Sequence, residues 1–427
     1  MMGMDAECQN KTIADIIFQL RKEKNLTYAE LEELTGVHKS ILHRIENGET
    51  KRPEFKTVKS IARALQIPYQ GIVECYIEGE SRIDTLFEIL SEVITCNENF
   101  SLVPKIALRL LQSPNKETEE SLQRLLSFTE TVKEETLKVK LYEMIIQYSR
   151  GHGVMTYLAK GLLQKYLIER LDFKRLEQTY QEGREVLHYT DFLTDEEKII
   201  IYFRMGLHSY ALKKNEECIQ LCLAGIQQEK RDTELKARAY LAMIYAYSRL
   251  GNFDKVEQYL PVFEKLQYDF VEENVKILRA MVKVRKKDYQ AAVPMLQSYM
   301  EELSQNNKIF MAEELLDIYY QRGNMESIEE LLKKEAQFLP ENLNSPTTCS
   351  SVGRYFRQKG VYKLSIGLVD EGVECFAKCL RLFTDINHLK EKDDCVRDLF
   401  FHYAKCSRPL EAQHIIMLKE ACAAGGE

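Results

Sequence analysis

Eleven cysteines and eight histidines are the residues here best suited to metal or nucleophilic chemistry, and their spacing argues against both. Cys218/Cys222 and Cys375/Cys379 stand four apart, one helical turn, inside apolar segments. In such places cysteine acts as a small buried residue. His38 and His43 have no Cys or Asp cluster at ligand spacing beside them. Eleven cysteines spread over 427 residues are not a disulfide framework either. The chain has no phosphate-binding Gly loop, no HExxH and no GxSxG. Neither an enzyme nor a cofactor or metal is expected. What remains is charge. The net value is −7, yet residues 39–63 hold seven basic side chains against three acidic ones, and residues 1–76 balance at 11 each. A local surplus of that kind suits a polyanion, because the patch and not the total governs attraction.

The elements that position this patch are helical. Only 9 Pro and 19 Gly punctuate the chain, too few for a strand-rich fold. Hydrophobic content of 45% and charged content of 29% describe a globular protein. No stretch reaches the roughly 18 apolar residues of a membrane span. The opening MMGMDAECQNKT, with Asp5 and Glu7, lacks the pattern of a secretory signal, so a cytoplasmic location is expected.

In residues 12–24, Ile13, Ile16, Ile17 and Leu20 share one helical face. Thr27 and Glu30 form a capping-box pattern, and Gly36 ends the short helix that follows. A third helix runs from His38 to Asn47 and stops at Gly48. Phe55, Val58, Ile61, Ala62 and Leu65 supply a fourth stripe, and Pro68 opens a fifth helix reaching Tyr76.

The segment LTYAELEELTGVHKSILHRIENGETKRPEFKTVKSIARALQIP resembles the lambda-repressor/Cro-like (XRE) helix-turn-helix family. That resemblance implies a third helix laid in the major groove of double-stranded DNA. The base-facing positions then fall on Lys39, Ser40 and Arg44. Lys39 and Arg44 suit guanine O6 and N7, and Ser40 can pair with several bases. Ile41 either touches a thymine methyl or extends the core face. Thr27, Asn47, Lys51 and Arg52 suit phosphates, which position without specifying. Tyr28 and His43 complete the candidate DNA-binding set. Tyr28 stands where the family usually has Gln, and Glu32 replaces a small residue common at the helix crossing. His38 replaces the usual Ser or Thr cap and is expected to cap less well.

Behind this reader the polar run Glu78–Arg82 is expected as a separator. Apolar segments of irregular spacing follow to Arg150, a helical linker or divergent repeats over 77–153. From residue 154 helix–turn–helix units recur every 36–44 residues, with turns centred near Asp172, Lys214, Asn252, Asp288, Asn324, Leu368 and Arg408. The segments ARAYLAMIYAYSRLGNFDKVEQYLPVFEKL and MAEELLDIYYQRGNMESIEELL show the plan most clearly. They resemble tetratricopeptide (TPR) repeats. The fold expected from these resemblances is all-α: a five-helix XRE-type domain over 1–76, then a right-handed TPR superhelix over 154–427 for peptide sensing and dimerisation. Gly206 and Gly360, with Gly183, Ala292, Cys379 and Ala412 on second helices, sit where close helix packing needs small residues. First helices line the concave wall of such arrays. Counting back from the turns places Arg204, Arg238, Tyr245, Asn274, Glu313, Asp317 and Gln321 on it, as candidate peptide-binding residues.

The order of XRE-type reader and long TPR array resembles the RRNPP family of peptide-responsive regulators, which includes the phage arbitrium receptors. The resemblance implies a homodimer that binds a DNA operator under the control of a short signalling peptide. A scaffold reading stands beside it, in which the array holds a protein partner and the helix-turn-helix localises it to DNA.

Overall fold

Several helix starts in this chain share one device, a side-chain oxygen that accepts from the backbone N–H three residues on. Thr12, Thr27 and Thr194 each do so within full capping boxes, and Asn252, Asp288 and Asn324 do so in the repeat turns. The computed structural model describes residues 12–96, 100–114, 117–343, 345–405 and 411–423. Among them no strand occurs, and no helix is long and apolar enough to cross a membrane.

Two compact units divide between Ile168 and Glu169. The first opens with α1 (Ile13–Glu23), α2 (Tyr28–Thr35), α3 (Lys39–Glu46), α4 (Phe55–Leu65) and α5 (Tyr69–Gly79). Ile17, Leu31, Leu42, Ile45, Ile61 and Leu65 form the common core of α1–α4. Then come α6 (Ile83–Thr95), α7 (Leu102–Leu111), α8 (Thr118–Thr131), α9 (Glu135–His152) and α10 (Met155–Glu169). Ile72, Val73, Tyr76 and Ile77 of α5 pack in the cluster that continues into α6–α9.

Glu78–Arg82, expected as a polar separator, is a packed joint instead. Glu80 and Ser81 are buried, and the Glu80 carboxylate accepts from the Ser81 and Arg82 N–H groups at 2.8 and 2.7 Å. The Arg82 guanidinium and the Tyr76 hydroxyl also donate to it. Arg109 of α7 caps the end of α5 through the carbonyls of Ile77, Glu78 and Glu80. One apolar cluster runs from Phe55 and Val58 of α4 through Leu86 and Ile106 to Ile145 of α9. The charges of this run are absorbed by one another, which is why a polar sequence here does not mark a solvated linker.

The second unit is built of antiparallel pairs: α11 (Leu176–Leu187), α12 (Asp195–Ala211) with α13 (Asn215–Gln228), α14 (Glu234–Arg249) with α15 (Phe253–Glu264), α16 (Asp269–Arg285) with α17 (Tyr289–Glu302) and α18 (Gln305–Gln321) with α19 (Met325–Lys333). The short α20 (Glu335–Phe338) precedes α21 (Pro346–Ser365) with α22 (Val369–Asp385) and α23 (Leu389–Tyr403) with α24 (Ala412–Ala423).

Each expected turn centre from Lys214 to Leu368 is the N-cap of the helix that follows, Asp172 caps a single 3-10 turn ahead of α11, and Arg408 lies outside the described residues. In five of these turns the residue before the cap is left-handed: Lys213, Gly251, Lys287, Gly323 and Gly367. Gly206 and Gly360 serve close packing, since a Cβ would lie 2.6 Å from Cys222 Sγ and 2.8 Å from the Phe376 ring. Gly183, Ala292 and Cys379 are buried as expected. Ala412 is not: it is exposed, and Ala421 is the small buried residue of α24. Apolar period alone set the register of that last helix, and it begins next to the undescribed residues 406–410.

Candidate nucleic-acid interface and first-helix wall

The reading helix α3 is held from behind by a buried ion pair. Arg21 of α1 donates through Nε and NH2 to the two carboxylate oxygens of Glu46, at 2.6 and 2.8 Å. Its NH1 donates to the Leu26 carbonyl at 2.8 Å. The Tyr28 hydroxyl donates to the same Glu46 at 2.9 Å, and the Arg21 guanidinium lies 4.1 Å from the Tyr28 ring centre. The hydrogen bond to Glu46 raises the Arg21 pKa above its ordinary value, and burial with Glu46 raises that of Tyr28. Residues from the first three helices therefore meet on one carboxylate. Such a pair fixes geometry more than it adds stability.

In front, Lys39, Ser40, Ile41, His43, Arg44 and Asn47 are exposed, while Leu42, Ile45 and Glu46 face inward. Ile41 is 45% exposed, which settles it as a surface residue of α3 and not part of the core. Arg44 lies 3.8 Å from Glu49, both more than half exposed, a pairing weak enough to leave Arg44 available. Lys51 and Arg52 are exposed in the loop after α3, and Thr27 at the start of α2. Tyr28 and His43 come together, ring centres 5.6 Å apart, and the Asn47 amide meets the His43 ring at 3.0 Å.

His38 does cap α3: its Nδ1 accepts from the Ser40 N–H at 3.3 Å and meets Ser40 Oγ at 2.7 Å. The first contact is comparable in length to those of the Thr27 and Thr194 caps, at 3.2 and 3.3 Å, and the second commits part of the Ser40 hydroxyl locally. Sequence reasoning missed Arg21. Its signal was a cation in an otherwise apolar-faced helix.

In the array, the candidate wall residues form two groups. Tyr245 donates to Asn274 Oδ1 at 3.3 Å, and Asn274 Nδ2 donates to the Phe270 carbonyl at 2.8 Å. Arg238 lies 4.6 Å from the Phe270 ring centre and pairs with Glu234 of its own helix. The second group is on α18, where Gln321 donates to Asp317 at 2.7 Å and both Glu313 carboxylate oxygens accept from one edge of the Arg354 guanidinium, Nε and NH2. Arg204 is half-buried on α12.

The structure adds residues that were not singled out. Arg354 also donates to Ser350 at 3.0 Å and Ser351 at 2.9 Å. Glu391 accepts from Lys213 and Ser350, and meets His388 Nδ1 at 2.7 Å. Arg285 donates to Glu314 at 3.0 Å, and Arg249 to the Tyr210 hydroxyl at 3.1 Å. Burial pushes the Glu314 carboxyl up to about 7 and raises Asp317 as well. Burial, then Arg354 and Arg249, bring Lys213 down to about 7. Burial works against the Arg354 charge, but Glu313 outweighs it and its pKa rises. A signal was available: Glu313–Arg354 and Arg354–Glu391 are opposite charges 41 and 37 residues apart, about one repeat.

Residues 17–72 match the helix-turn-helix family. The chain is 43% identical over 85 residues to the HTH-type transcriptional repressor RghR of Bacillus subtilis, a match covering 19% of this chain and 63% of RghR. It is 31% identical over 55 residues to the uncharacterized HTH-type transcriptional regulator RghRB of the same organism, covering 13% of this chain and 40% of RghRB. Thus it spans less than two thirds of the length of the curated relatives it matches.

Among solved structures, it aligns with Bacillus thuringiensis PlcR in complex with the peptide PapR7 and DNA at 14% identity and a TM-score of 0.30, over 91% of this chain and 99% of PlcR. It aligns with a Rap protein complexed with competence and sporulation factor at 12% identity and a TM-score of 0.39, over 91% and 98%. Likeness at that level does not determine a fold. Short helices with a Gly turn between α2 and α3, followed by a helical-hairpin array, are seen directly in this chain, and residues 17–72 are similar to the helix-turn-helix family.

Proposed function

We propose that this chain is a sequence-specific DNA-binding transcriptional regulator of the RRNPP type, and that its array takes a short signalling peptide. The observation that carries the DNA half is the braced helix α3, which presents Lys39, Ser40, Ile41 and Arg44 outward from the Arg21–Glu46–Tyr28 node. A rigid helix with a row of outward donors is what reading base edges needs. Thr27, Lys51 and Arg52 flank it as phosphate contacts. Selection of binding sites from random duplexes, followed by titration of the Arg44→Ala variant, tests the assignment. Expected is a loss of about 1–3 kcal/mol confined to one base position. Equal weakening on every sequence would remove Arg44 from the base readers.

For the peptide half, support comes from the polar groups gathered on first helices, Tyr245 with Asn274 and Glu313 with Asp317. Asn amides pair a peptide backbone, and charges pair its ends and side chains. A thermal-shift screen with short synthetic peptides tests this, because a specific binder raises apparent stability. The scaffold reading is favoured by one observation: Phe400, Phe401, Ile415 and Ile416 on α23 and α24 are each 56–58% exposed. A homodimer using the array is part of the same proposal, and sedimentation of the full chain distinguishes a dimer from a monomer.

A further inference from the structure

Three ion pairs of the first-helix wall share a layering, with the acid behind and the cation in front. The Glu313 side chain is 14% exposed against 31% for Arg354, Glu314 8% against 49% for Arg285, and Glu391 7% against 34% for Lys213. Arg357 and Asp398 are level at 26% each. Acids set this deep orient their cations without neutralising the outer side. In each of these three pairs the cation is therefore the partner more open to an incoming anion.

Glu391 is held closely by Lys213 and by His388 Nδ1 at 2.7 Å, and only loosely by its partners on α21. Its contact with Arg354 NH1 is 3.5 Å, and its contacts with the Ser350 hydroxyl are 3.3 and 3.4 Å, all longer than charged hydrogen bonds usually are. The same carboxylate accepts from Lys213, 178 residues away, in the turn between α12 and α13. Beside it, His388 Nε2 donates to the Ala211 carbonyl at 3.0 Å. One acid on α23 thus faces Arg354 and also ties that helix to the α12–α13 turn.

We propose that the wall around Arg354 and Lys213 is a receiving site for a ligand carboxylate, and that Glu391 fills it as an internal stand-in. The proposal rests on the peptide reading above and names the chemistry it requires. An incoming carboxylate competes with Glu391 for the two cations, so binding loosens the tie between α23 and the α12–α13 turn. The ligand shifts that equilibrium only by its unequal affinity for the tied and untied states. The carboxylate comes either from a peptide C-terminus or from an Asp or Glu side chain.

The test uses the full chain and a synthetic short-peptide library in three forms: free C-termini, amidated C-termini, and free C-termini with Asn and Gln replacing Asp and Glu. Binding is read by thermal shift and then by titration calorimetry. Peptides that bind in the first form are expected to lose about tenfold in affinity in one of the others, which identifies the source of the carboxylate. Glu391→Gln, which keeps the size and removes the competing charge, is expected to raise their affinity about tenfold. Should that variant not fold, Lys213→Met is expected to lower it by a similar factor. Peptides that bind all three forms alike, or affinities unmoved by Glu391→Gln or by Lys213→Met, overturn the carboxylate site and leave the peptide reading standing. Absence of any binder in all three forms overturns both.

Discussion

The reading helix and the first-helix wall both carry charged residues suited to binding, and they hold them in opposite ways. In the reader one ion pair, Arg21 with Glu46, is buried behind the helix, and the outward side chains Lys39, Ile41 and Arg44 stay exposed. On the wall the candidate residues are themselves the partners: Glu313 holds Arg354, and Tyr245 holds Asn274. On the proposed function, the reader would meet DNA with few internal bonds to exchange, the local His38–Ser40 and His43–Asn47 contacts among them, and phosphates would supply the attraction. A ligand on the wall must exchange with bonds already made, so its net gain is a difference between two good states. On the proposed function, the reader would be built for contact and the wall for exchange.

The comparison breaks most easily at Glu46. Glu46→Ala leaves the Arg21 guanidinium buried without its carboxylate and removes the partner of Tyr28. The expected cost is about 3–5 kcal/mol, the usual range for orphaning one member of a buried pair. Hydrogen exchange followed by mass spectrometry should show lost protection in α1–α3. A loss below about 1 kcal/mol in chemical denaturation would mean that the node is not what holds α3.

Packing is the array's counterpart to that node. At Gly206 an added Cβ would meet Cys222 Sγ at 2.6 Å and the Cys222 backbone nitrogen at 3.3 Å. The backbone cannot rotate away, so α12 and α13 must separate. Gly206→Ala should therefore cost about 1–3 kcal/mol, as overpacking does. The control is Gly151→Ala, where nothing lies within 4 Å of the new atom. Equal melting temperatures for the two variants would contradict the close approach.

How much of this was legible in the sequence follows from the range of each interaction. The Thr27–Glu30 capping box, the Gly36 and Gly48 stops and the repeat turns from Asp172 to Leu368 are local signals, and each lies where the residues placed it, although sequence reasoning missed the boxes at Thr12 and Thr194. The reader's exposed face could be read for the same reason, since period 3.6 separates Leu42 and Ile45 from Lys39 and Arg44. The wall was legible only as a set of positions. Its pairs join residues one repeat apart, and Lys213 with Glu391 joins residues 178 apart. Nothing local in the sequence marks them. Glu80 shows the converse failure: composition reads as solvent, yet its charge is spent on Arg82 and Tyr76 in the interior.

Acid should separate the two regions further. His208 and His388 are both held down to about 4, first by burial, whereas His38 and His43 of the reader are exposed. Between pH 6.5 and 4 the unfolded chain binds protons at those two positions that the folded array refuses. Stability of the array therefore falls as pH drops through that window, by up to about 1.4 kcal/mol per pH unit for each histidine. Glu314, pushed up to about 7, works the other way over part of the window, so the net loss is smaller. His208→Gln, which can still donate to the Leu176 carbonyl, isolates one histidine. Its denaturation free energy relative to the parent should rise steadily from pH 6.5 to 4. A constant difference would show that His208 is not held neutral.

The smallest expected effect lies at Lys51, and it separates positioning from reading within the reader itself. Lys51 is exposed in the loop after α3, away from the base-facing row. If it meets a phosphate, Lys51→Ala weakens every duplex by a similar small factor, with no change in the preferred sequence. Removing one phosphate contact also lowers the slope of log affinity against log salt by about 1. Lys39→Ala, by contrast, should change preference at one base position while moving the salt slope less. Fluorescence anisotropy on two duplexes that differ at that position, at several salt concentrations, measures both quantities for both variants. If Lys51→Ala altered the preference, the loop would belong to the reading surface. The exposed row on α3 would then be too narrow an account of how this domain recognises DNA.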